Sequence, residues 1–332
     1  MTLTTTRRWI LSAAAAGVLA LGAGPAFAQD KIKLRLSSVN TETDSRAIGL
    51  IEKFGPGVAA FADFEPHWNG ELFKQGTELE AIARGNLEMS IGSAQELASF
   101  FPEFSILTAG YVHQSAEHQI AVFNDPVMDP LKAKVENELG VKLLTVMYLG
   151  KRQINLKGDK EIRTPGDMAG IKLRMPGSDA WQFLGSALGA SPVPVAFPEL
   201  YTALQTGAVD GQDNPLPTVI DSKFYEVTDQ IVLTSHLVDL NYLTISKAVW
   251  DKMTPEQQAA TQAAADAAAA HARELQLQKE ADAVAFLTEK GLKIYEPDVA
   301  AFREAVQAAY LASDYAKDWP EGMLDRINEL AR

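Results

Sequence analysis

Two arginines lie beside strongly apolar segments of the chain. Arg174 sits inside the apolar, strand-like segment 171–175, where a charged side chain needs a partner or a pocket. Arg152 follows a second apolar segment, which ends at Tyr148. Each arginine taken alone is also compatible with a solvent-facing or ion-paired side chain. A guanidinium is, however, also the side chain that can hold a carboxylate through two parallel hydrogen bonds, so both roles stay open at this point.

Catalytic and metal-binding arrangements are not indicated. No H-E-x-x-H, G-x-S-x-G, P-loop or G-x-G-x-x-G segment occurs. Asp210 and Asp213 could suggest paired carboxylates, but a turn at Asp210 explains their spacing. We therefore predict a chain with no catalytic residues, no metal site and no cofactor. The histidines, which we expect on the surface or in packing roles, are His67, His113, His118, His236 and His271.

Composition excludes several classes of function. The chain has 332 residues, with 30 Lys and Arg against 43 Asp and Glu, and a net charge of −13. Nucleic-acid binding is not expected, because a phosphate backbone needs a basic surface. The absence of cysteine excludes disulfides, thiolate zinc sites, iron–sulfur clusters and cysteine nucleophiles. The content of 47% hydrophobic and 22% charged residues is typical of a globular protein, and the length predicts two domains.

Residues 1–28 have the pattern of a secretory signal peptide. Arg7 and Arg8 precede an apolar segment over 9–23, and 26–28 reads Ala-Phe-Ala, a cleavage site. The paired arginines are also similar to a twin-arginine export signal. A membrane anchor is the alternative, but the apolar segment is short and rich in Ala and Gly. We therefore expect signal cleavage and a periplasmic protein that is not embedded in the membrane.

Alternating strand and helix patterns predict an α/β fold. In the first half, strand patterns alternate with helix patterns over 31–37, 45–61, 64–68, 77–84 and 87–92. A second set follows, with strands over 141–148 and 171–175, helices over 179–188 and 197–206, and short extended segments over 191–195 and 209–211. This repetition predicts two sheet-containing units.

Residues 255–289 contain almost no helix-breaking residue and are dominated by alanine. The segment predicts one helix about 50 Å long. A heptad pattern is not sustained, which argues against a coiled coil. A helix lying across two domains is the favoured interpretation.

Several segments resemble one family. Residues 188–215 are similar almost throughout to the longest signature of the TRAP-transporter solute-binding proteins (tripartite ATP-independent periplasmic, DctP type). The segment 170–176, GIKLRMP, resembles their GLKIRVP strand, and 150–152 resembles their upstream G-x-R. Segments 69–72 and 79–85 resemble their amino-terminal block. The likeness extends over the whole chain that follows the signal peptide.

The resemblance implies a two-domain periplasmic binding protein of type II-like α/β fold. Hinge strands and one long domain-spanning helix would connect the domains. Domain I would comprise 29–149 plus 240–279, and domain II would comprise 150–239 plus 280–332. The ligand cleft would lie between them.

The resemblance also implies roles for individual residues. Arg174 makes the main salt bridge to the ligand carboxylate, and Arg152 adds a second contact. Phe197 supplies an apolar wall, and Asn214 hydrogen-bonds the carboxylate. No residue is assigned to catalysis or to a metal.

Two serines separate this chain from sialate-binding relatives. Ser93 stands where those proteins carry Glu, and Ser37 or Ser38 stands where they carry Asn, which argues against sialic acid. Smaller organic acids stay open, namely C4-dicarboxylates, sugar acids and aromatic acids. Trp181 and Tyr148 are candidates for the pocket wall, with core packing as the alternative role.

The predicted function is that of the extracytoplasmic solute receptor of a TRAP transporter. It would bind a small carboxylate and deliver it to the membrane permease subunits. A periplasmic enzyme acting on an organic acid is one alternative, but it needs an acid, base or nucleophile near Arg174. A ligand-binding module of a sensor is another, and it would share the pocket.

Overall fold

Two long strands run through the centre of one mixed sheet. The computed structural model describes residues 31–331, and the predicted signal peptide over 1–28 lies outside the described residues. The strands of the described part are β1 (Ile32–Ser37), β2 (Ala62–His67), β3 (Met89–Ser93), β4 (Val141–Leu156), β5 (Lys172–Met175), β6 (Ser191–Pro194), β7 (Gly211–Pro215), β8 (Gln230–Ser246) and β9 (Lys293–Tyr295). Their order is β2-β1-β3-β8-β4-β7-β5-β6, and β9 pairs with β8.

The strands β4 and β8 are antiparallel to each other and join two parallel sets. The first set, β1 to β3, joins β8 through β3. The second set, β5 to β7, joins β4 through β7. With 16 residues in β4 and 17 in β8, each strand is about 50 Å long. Both are therefore long enough to connect the two parallel sets. The predicted α/β class with long connecting strands is confirmed.

Helices pack against this sheet. In the described part they are α1 (Ser45–Gly49), α2 (Gly55–Val58), α3 (Glu78–Ala83), α4 (Ala94–Leu97), α5 (Ala116–Asn124), α6 (Asp129–Lys134), α7 (Asp179–Ala187), α8 (Leu200–Thr206), α9 (Leu216–Asp221), α10 (Lys247–Trp250), α11 (Pro255–Glu289), α12 (Val299–Leu311) and α13 (Met323–Leu330). A π-helical turn at Leu50–Phe54 continues α1 into α2. Over residues 31–331, none of these helices combines the length and apolar character that a bilayer span requires.

The long helix α11 has the bounds that the sequence predicts. Thr254 caps it, since its hydroxyl accepts from the Gln257 N–H at 3.3 Å. The Gln257 side chain in turn accepts from the Thr254 N–H at 2.9 Å, which completes a capping box. Pro255 occupies the first turn, where no intrahelical donor is lost.

One face of α11 contributes to two separate hydrophobic clusters. Ala265 and Ala268 pack in a cluster with Leu34 and Leu36 of β1. Ala283 and Leu287 pack in another cluster with residues of α8 and α9. The helix therefore spans both clusters, and its small side chains let neighbouring backbones approach closely.

Strand β4 is longer than predicted. It continues to Leu156, so Arg152 lies within the strand instead of following it. Register shifts against β8 occur between Tyr148 and Gly150 and between Arg152 and Ile154. Bulges of this kind interrupt the alternation of apolar residues while pairing continues, which is why the apolar pattern ends early. Similarly, β7 begins where its predicted segment ended, and it contains Asn214.

The contact between α1 and α11 generates a prediction. A Cβ atom at Gly49 would lie 2.5 Å from the Ala268 carbonyl oxygen, so Gly49→Ala should destabilise the fold by about 2 kcal/mol through overpacking. Urea unfolding measures this change. Gly177→Ala is the matched control, because a Cβ there meets nothing within 4 Å. Equal stability of the two variants would contradict the close approach of the helices.

Candidate functional site

A cavity of about 70 Å³ lies at the carboxyl ends of strands from both parallel sets. Sites in open α/β sheets commonly occupy this position. The residues that line it include seven of the eight expected to contact ligand, namely Ser38, Ser93, Arg152, Arg174, Trp181, Phe197 and Asn214. The structure therefore brings together residues of β3, β4, β5 and β7 with the segment that follows β1.

Tyr148 is the residue that the structure does not bring into this cavity. Its hydroxyl donates to Glu280 Oε2 of α11 at 2.8 Å, and its ring lines a groove beside that helix. The bulge between Tyr148 and Gly150 shifts the register of β4 at this point. The expectation that Tyr148 lines the ligand pocket is corrected accordingly.

Arg174 is buried without a counter-ion from the described part of the chain. It is only 1% exposed, and its Nε donates to the Val195 carbonyl at 2.8 Å. Its Nη2 donates to Gln75 Oε1 at 3.2 Å, and the Phe197 ring centre lies 5.8 Å from the guanidinium carbon. No carboxylate of residues 31–331 forms an ion pair with it, so its contacts are with neutral oxygens and one aromatic ring, and its charge is not balanced.

The electrostatics of Arg174 follow from this environment. Burial lowers the pKa of Arg174 to about 9, with the charge of Arg152 acting in the same direction and that of Asp213 opposing it. The guanidinium thus stays protonated at neutral pH. A buried cation in this situation gains strongly from an anion placed beside it.

Arg152, in contrast, is committed to partners within the chain. Its Nε donates to Asp213 Oδ2 at 2.7 Å, and its Nη1 donates to Asp239 Oδ2 at 2.8 Å. Its Nη2 donates to the Asp213 carbonyl at 2.5 Å, and the Trp181 ring centre lies 4.5 Å from the guanidinium carbon. One ion network therefore ties β4, β7 and β8 together beside the cavity.

The carboxylate of Asp213 is held ionised inside this network. Burial alone would raise its pKa, but the charge of Arg152 and hydrogen bonds from His236 and Arg152 hold the pKa of Asp213 well below its usual range. His236 Nε2 lies 3.1 Å from Asp213 Oδ2. Asp213, which the sequence suggested as a turn residue, is a fully buried partner of Arg152.

Gln75 joins the two sides of the cavity. Besides accepting from Arg174, its Oε1 accepts from the Phe197 N–H at 2.8 Å. Gln75 follows β2, whereas Arg174 and Phe197 belong to the second parallel set and its connections. Nothing in the sequence marked Gln75, because a loop glutamine shows no periodicity or motif.

A third arginine, Arg46, also lines the cavity. Unlike Arg152 and Arg174, it was not identified from the sequence. It is paired locally: Nη2 donates to Asp44 Oδ2 at 2.8 Å, and Nε donates to Asp44 Oδ1 at 2.9 Å. Its Nη1 donates to Asn241 Oδ1 of β8. Its position in the first turn of α1, two residues after the cap Asp44, was the available signal.

Two acidic side chains, Glu78 and Glu96, also line the cavity. Glu78 is buried, and burial together with the charge of Glu96 raises the pKa of Glu78 to about 8. Burial also raises the pKa of Glu96, against hydrogen bonds from Ser93. The Ser93 N–H donates to Glu96 Oε2 at 2.8 Å as part of the α4 capping box.

The remaining polar residues are held by their neighbours. Asn214 Nδ2 donates to Gln212 Oε1 at 2.5 Å, and the Ser38 hydroxyl donates to Asn40 Oδ1. The cavity thus combines one guanidinium lacking a carboxylate partner with hydroxyl, amide and carboxyl groups. Within the described part of the chain, no cluster of His, Asp and Glu has the grouping of a metal site.

Comparisons with known proteins all identify bacterial solute-binding proteins. A model of the family DctP, bacterial extracellular solute-binding protein family 7, matches residues 60–318. A TRAP periplasmic solute binding protein from Roseobacter denitrificans, solved with bound 3-deoxy-D-manno-oct-2-ulosonic acid, is 64% identical. That alignment covers 91% of this chain and 100% of the solved chain, with a TM-score of 0.90.

Two more distant relatives agree in fold and length. A solute-binding protein of Roseobacter denitrificans is 32% identical over 91% of this chain and 92% of its own length. The sugar acid binding protein of Advenella mimigardefordensis, solved in complex with galactonate, is 26% identical. It covers 90% of this chain and 99% of its own, with a TM-score of 0.83.

The raised pKa of Glu78 predicts a pH dependence of stability. The folded chain holds a proton that the unfolded chain releases near pH 4.5, so the contribution of Glu78 to stability falls as the pH rises from about 5 to 8. Glu78→Gln should therefore gain up to ~3 kcal/mol over wild type across this range. Urea unfolding at several pH values measures it.

The control for that experiment is Glu80→Gln on the same helix. Glu80 is exposed and pairs with Arg84 at 2.5 Å, so its replacement should leave the pH profile unchanged. Parallel profiles for wild type and Glu78→Gln would show that Glu78 ionises as an ordinary carboxyl group.

Proposed function

This chain belongs to the DctP family of bacterial extracellular solute-binding proteins, and we propose that the organic acid it binds is a monocarboxylic sugar acid. It is the extracytoplasmic solute receptor of a TRAP transporter. The observation that carries the proposal is Arg174, a guanidinium that is 1% exposed and forms no ion pair with a carboxylate of residues 31–331. A ligand carboxylate supplies the missing counter-ion through a bidentate contact.

The other charges of the cavity favour a single carboxylate on the ligand. Arg46 and Arg152 already pair with Asp44, Asp213 and Asp239. A second ligand carboxylate would therefore lack a free guanidinium and would meet Glu96, the carboxylate whose charge acts on Glu78. Like charges at short range are costly when desolvated, so C4-dicarboxylates are disfavoured.

The carboxyl groups of Glu78 and Glu96 are suited to a ligand that carries several hydroxyl groups besides its carboxylate. Ligand hydroxyl groups can donate to Glu96 and can exchange hydrogen bonds with Glu78, whose raised pKa keeps it protonated at neutral pH. Aromatic acids would leave these buried polar groups without partners, at a cost of about 1–3 kcal/mol each. A sugar acid satisfies both ends of the cavity.

The relatives support this choice. The 64% identical protein was solved with bound 3-deoxy-D-manno-oct-2-ulosonic acid, and the Advenella protein with galactonate. Each of these ligands has one carboxylate and several hydroxyl groups. We take 3-deoxy-D-manno-oct-2-ulosonate as the first candidate and galactonate as the second.

The remaining residues receive roles on the same basis. Arg152 contributes charge and anchors the wall, Phe197 and Trp181 bound the ligand, and Asn214 hydrogen-bonds its carboxylate. Ser38 and Ser93 face the opposite side of the ligand. The relatives are named as solute-binding proteins, which supports binding without turnover, release to a TRAP permease and residence in the periplasm after cleavage near residue 28.

We propose that the domains comprise 29–149 with 240–279 and 150–239 with 280–332. The continuity of β4 and β8 through both parallel sets supports a hinge there, and Gln75 bridges the two sides. Saturating 3-deoxy-D-manno-oct-2-ulosonate should therefore reduce the radius of gyration by closure of the cleft. Small-angle scattering measures this, and a constant radius with calorimetrically proven saturation would contradict the hinge.

Arg174→Lys tests the site itself. Lysine keeps the charge but loses the planar fork, so binding of 3-deoxy-D-manno-oct-2-ulosonate should weaken by about 2–4 kcal/mol. Arg152→Lys should weaken it less, because the Arg152 network is chiefly internal. Isothermal titration calorimetry gives the affinities, and circular dichroism checks folding.

Arg84→Lys is the matched control, since Arg84 is exposed on α3. It should bind as wild type does. Succinate, a dicarboxylate, should bind much more weakly than the sugar acid. Failure of wild type to bind either sugar acid would refute the ligand class, whereas wild-type affinity in Arg174→Lys would refute the assigned role of Arg174.

A further inference from the structure

The segment between β2 and α3, residues 68–77, reaches from the first parallel set to the opposite side of the ligand cavity, and we name it the bridging loop. Gln75 of this loop lines the cavity. Its Oε1 accepts from the Phe197 N–H at 2.8 Å and from Arg174 Nη2 at 3.2 Å. Both partners belong to the second parallel set and its connections. One amide oxygen therefore contacts, from the other side of the cavity, two residues that we assign to ligand binding.

The bridging loop is anchored at its base on the segment that follows β1. The Asn69 N–H donates to the Asn40 carbonyl at 3.0 Å, and the Gly70 N–H donates to the Ser38 carbonyl at 3.0 Å. A Cβ atom at Gly70 would lie 3.3 Å from Pro198 Cγ. The backbone of the loop therefore packs against the second side of the cavity as well, besides the hydrogen bonds described above.

The turn that carries Gln75 is closed by a backbone and a side-chain hydrogen bond. The Thr77 N–H donates to the Lys74 carbonyl at 3.0 Å, and the Thr77 hydroxyl donates to the same oxygen at 2.8 Å. Gly76 within this turn has φ 86°, a left-handed conformation that glycine adopts readily. These contacts fix the backbone from which the Gln75 side chain extends to the cavity wall.

The hydrogen bonds also fix the orientation of the Gln75 amide. Both partners of Oε1 are N–H donors, so only the oxygen end of the amide can face them. A carboxylate has the same shape as this amide and would present an oxygen acceptor at the same place. Charge is therefore the main difference between a glutamine and a glutamate at this position.

The neutrality of Gln75 determines what remains of the Arg174 charge. Arg46 and Arg152, the other two arginines of the cavity, pair with carboxylates of the chain. An amide oxygen accepts from a guanidinium without cancelling its charge, and the net contribution of such a hydrogen bond is modest. A carboxylate would form a much stronger, charge-assisted pair. The amide thus orients Arg174 and still allows the two sides of the cavity to separate.

We propose that Gln75 is a positioning residue of the receptor, whose neutral amide joins the two sides of the cavity and orients Arg174 while leaving its charge to the ligand carboxylate. Because this role takes Arg174 as the partner of the sugar-acid carboxylate, it rests on the proposed function. A carboxylate at position 75 would act as an internal counter-ion. It would compete with the ligand and hold the cleft closed.

Gln75→Glu tests this role, because it adds a charge at nearly constant shape. Affinity for 3-deoxy-D-manno-oct-2-ulosonate should fall by roughly a hundredfold, since the ligand carboxylate would meet a like charge and an arginine that is already paired. The thermal midpoint of the ligand-free protein should rise, and its radius of gyration should fall to that of ligand-bound wild type. Titration calorimetry, scanning calorimetry and small-angle scattering measure these changes. A merely structural role of Gln75 would lower affinity and stability together.

Two further variants separate the bridge from the charge. Gln75→Ala removes the bridge without adding a charge, so binding should weaken less than in Gln75→Glu. The loss should lie mainly in faster dissociation, measured by stopped-flow tryptophan fluorescence, because the bridge forms across a ligand that has already entered. Gln205→Glu is the matched control, since Gln205 is exposed on α8 and does not line the cavity. It should leave affinity and radius at their wild-type values.

The stability measurement does not need a ligand. The rise in thermal midpoint caused by Gln75→Glu should disappear in the background of Arg174→Gln, which removes the partner of the new carboxylate. If wild type binds no sugar acid but this dependence on Arg174 holds, the ligand assignment fails and the contact of Gln75 with Arg174 stands. Wild-type affinity in Gln75→Glu, an unchanged midpoint, or a rise that persists without Arg174 overturns the proposal.

Discussion

The buried network around Arg152 is the constraint on which the architecture depends. It joins β4, β7 and β8 through the carboxylates of Asp213 and Asp239, at distances of 2.7 and 2.8 Å. Buried ions recover their desolvation cost only when geometry and hydrogen bonding are nearly complete. Here His236 and the Trp181 ring complete the shell. The network therefore sets the crossing of three strands and, with them, one wall of the cavity.

Because Arg152 is paired within the protein, it and Arg174 have different roles. Because Arg152 donates to Asp213 and Asp239, its position is fixed by groups of the protein itself. Arg174 lies nearby, equally buried, but its partners are the Val195 carbonyl and Gln75. Neutral oxygens orient a guanidinium without neutralising it. One arginine thus builds the site, and the other keeps its charge available for the ligand.

Long elements connect the parts of the sheet that carry these residues. β4 and β8 run through both parallel sets, and α11 packs against clusters associated with each set. The alanines of α11 allow backbones to come close, as the position of Gly49 beside Ala268 illustrates. A charged, desolvated site can be held accurately only if the elements that carry it are well packed, and the strands of the sheet and α11 supply this packing.

The sequence by itself determined the features that depend on near neighbours. The breaker-free segment 255–289 specifies α11, and the apolar run around Arg174 marks that residue because burial of its charge demands a partner. Four of the eight expected residues, Arg152, Arg174, Phe197 and Asn214, lie in segments that resemble the solute-binding family, and all four line the cavity. Gln75 and Glu78 carried no such local mark.

Only the tertiary structure decided which distant groups meet. The partners of Arg152 lie 61 and 87 positions away, and no local pattern encodes such contacts. Bulges in β4 changed which face a side chain occupies, so Tyr148 contacts α11 while Arg152 lines the cavity. Hydropathy reports how apolar a segment is. Which groups meet, and which face of a strand a side chain occupies, depend on the packing of segments that are distant in the sequence. Only the complete fold determines that packing.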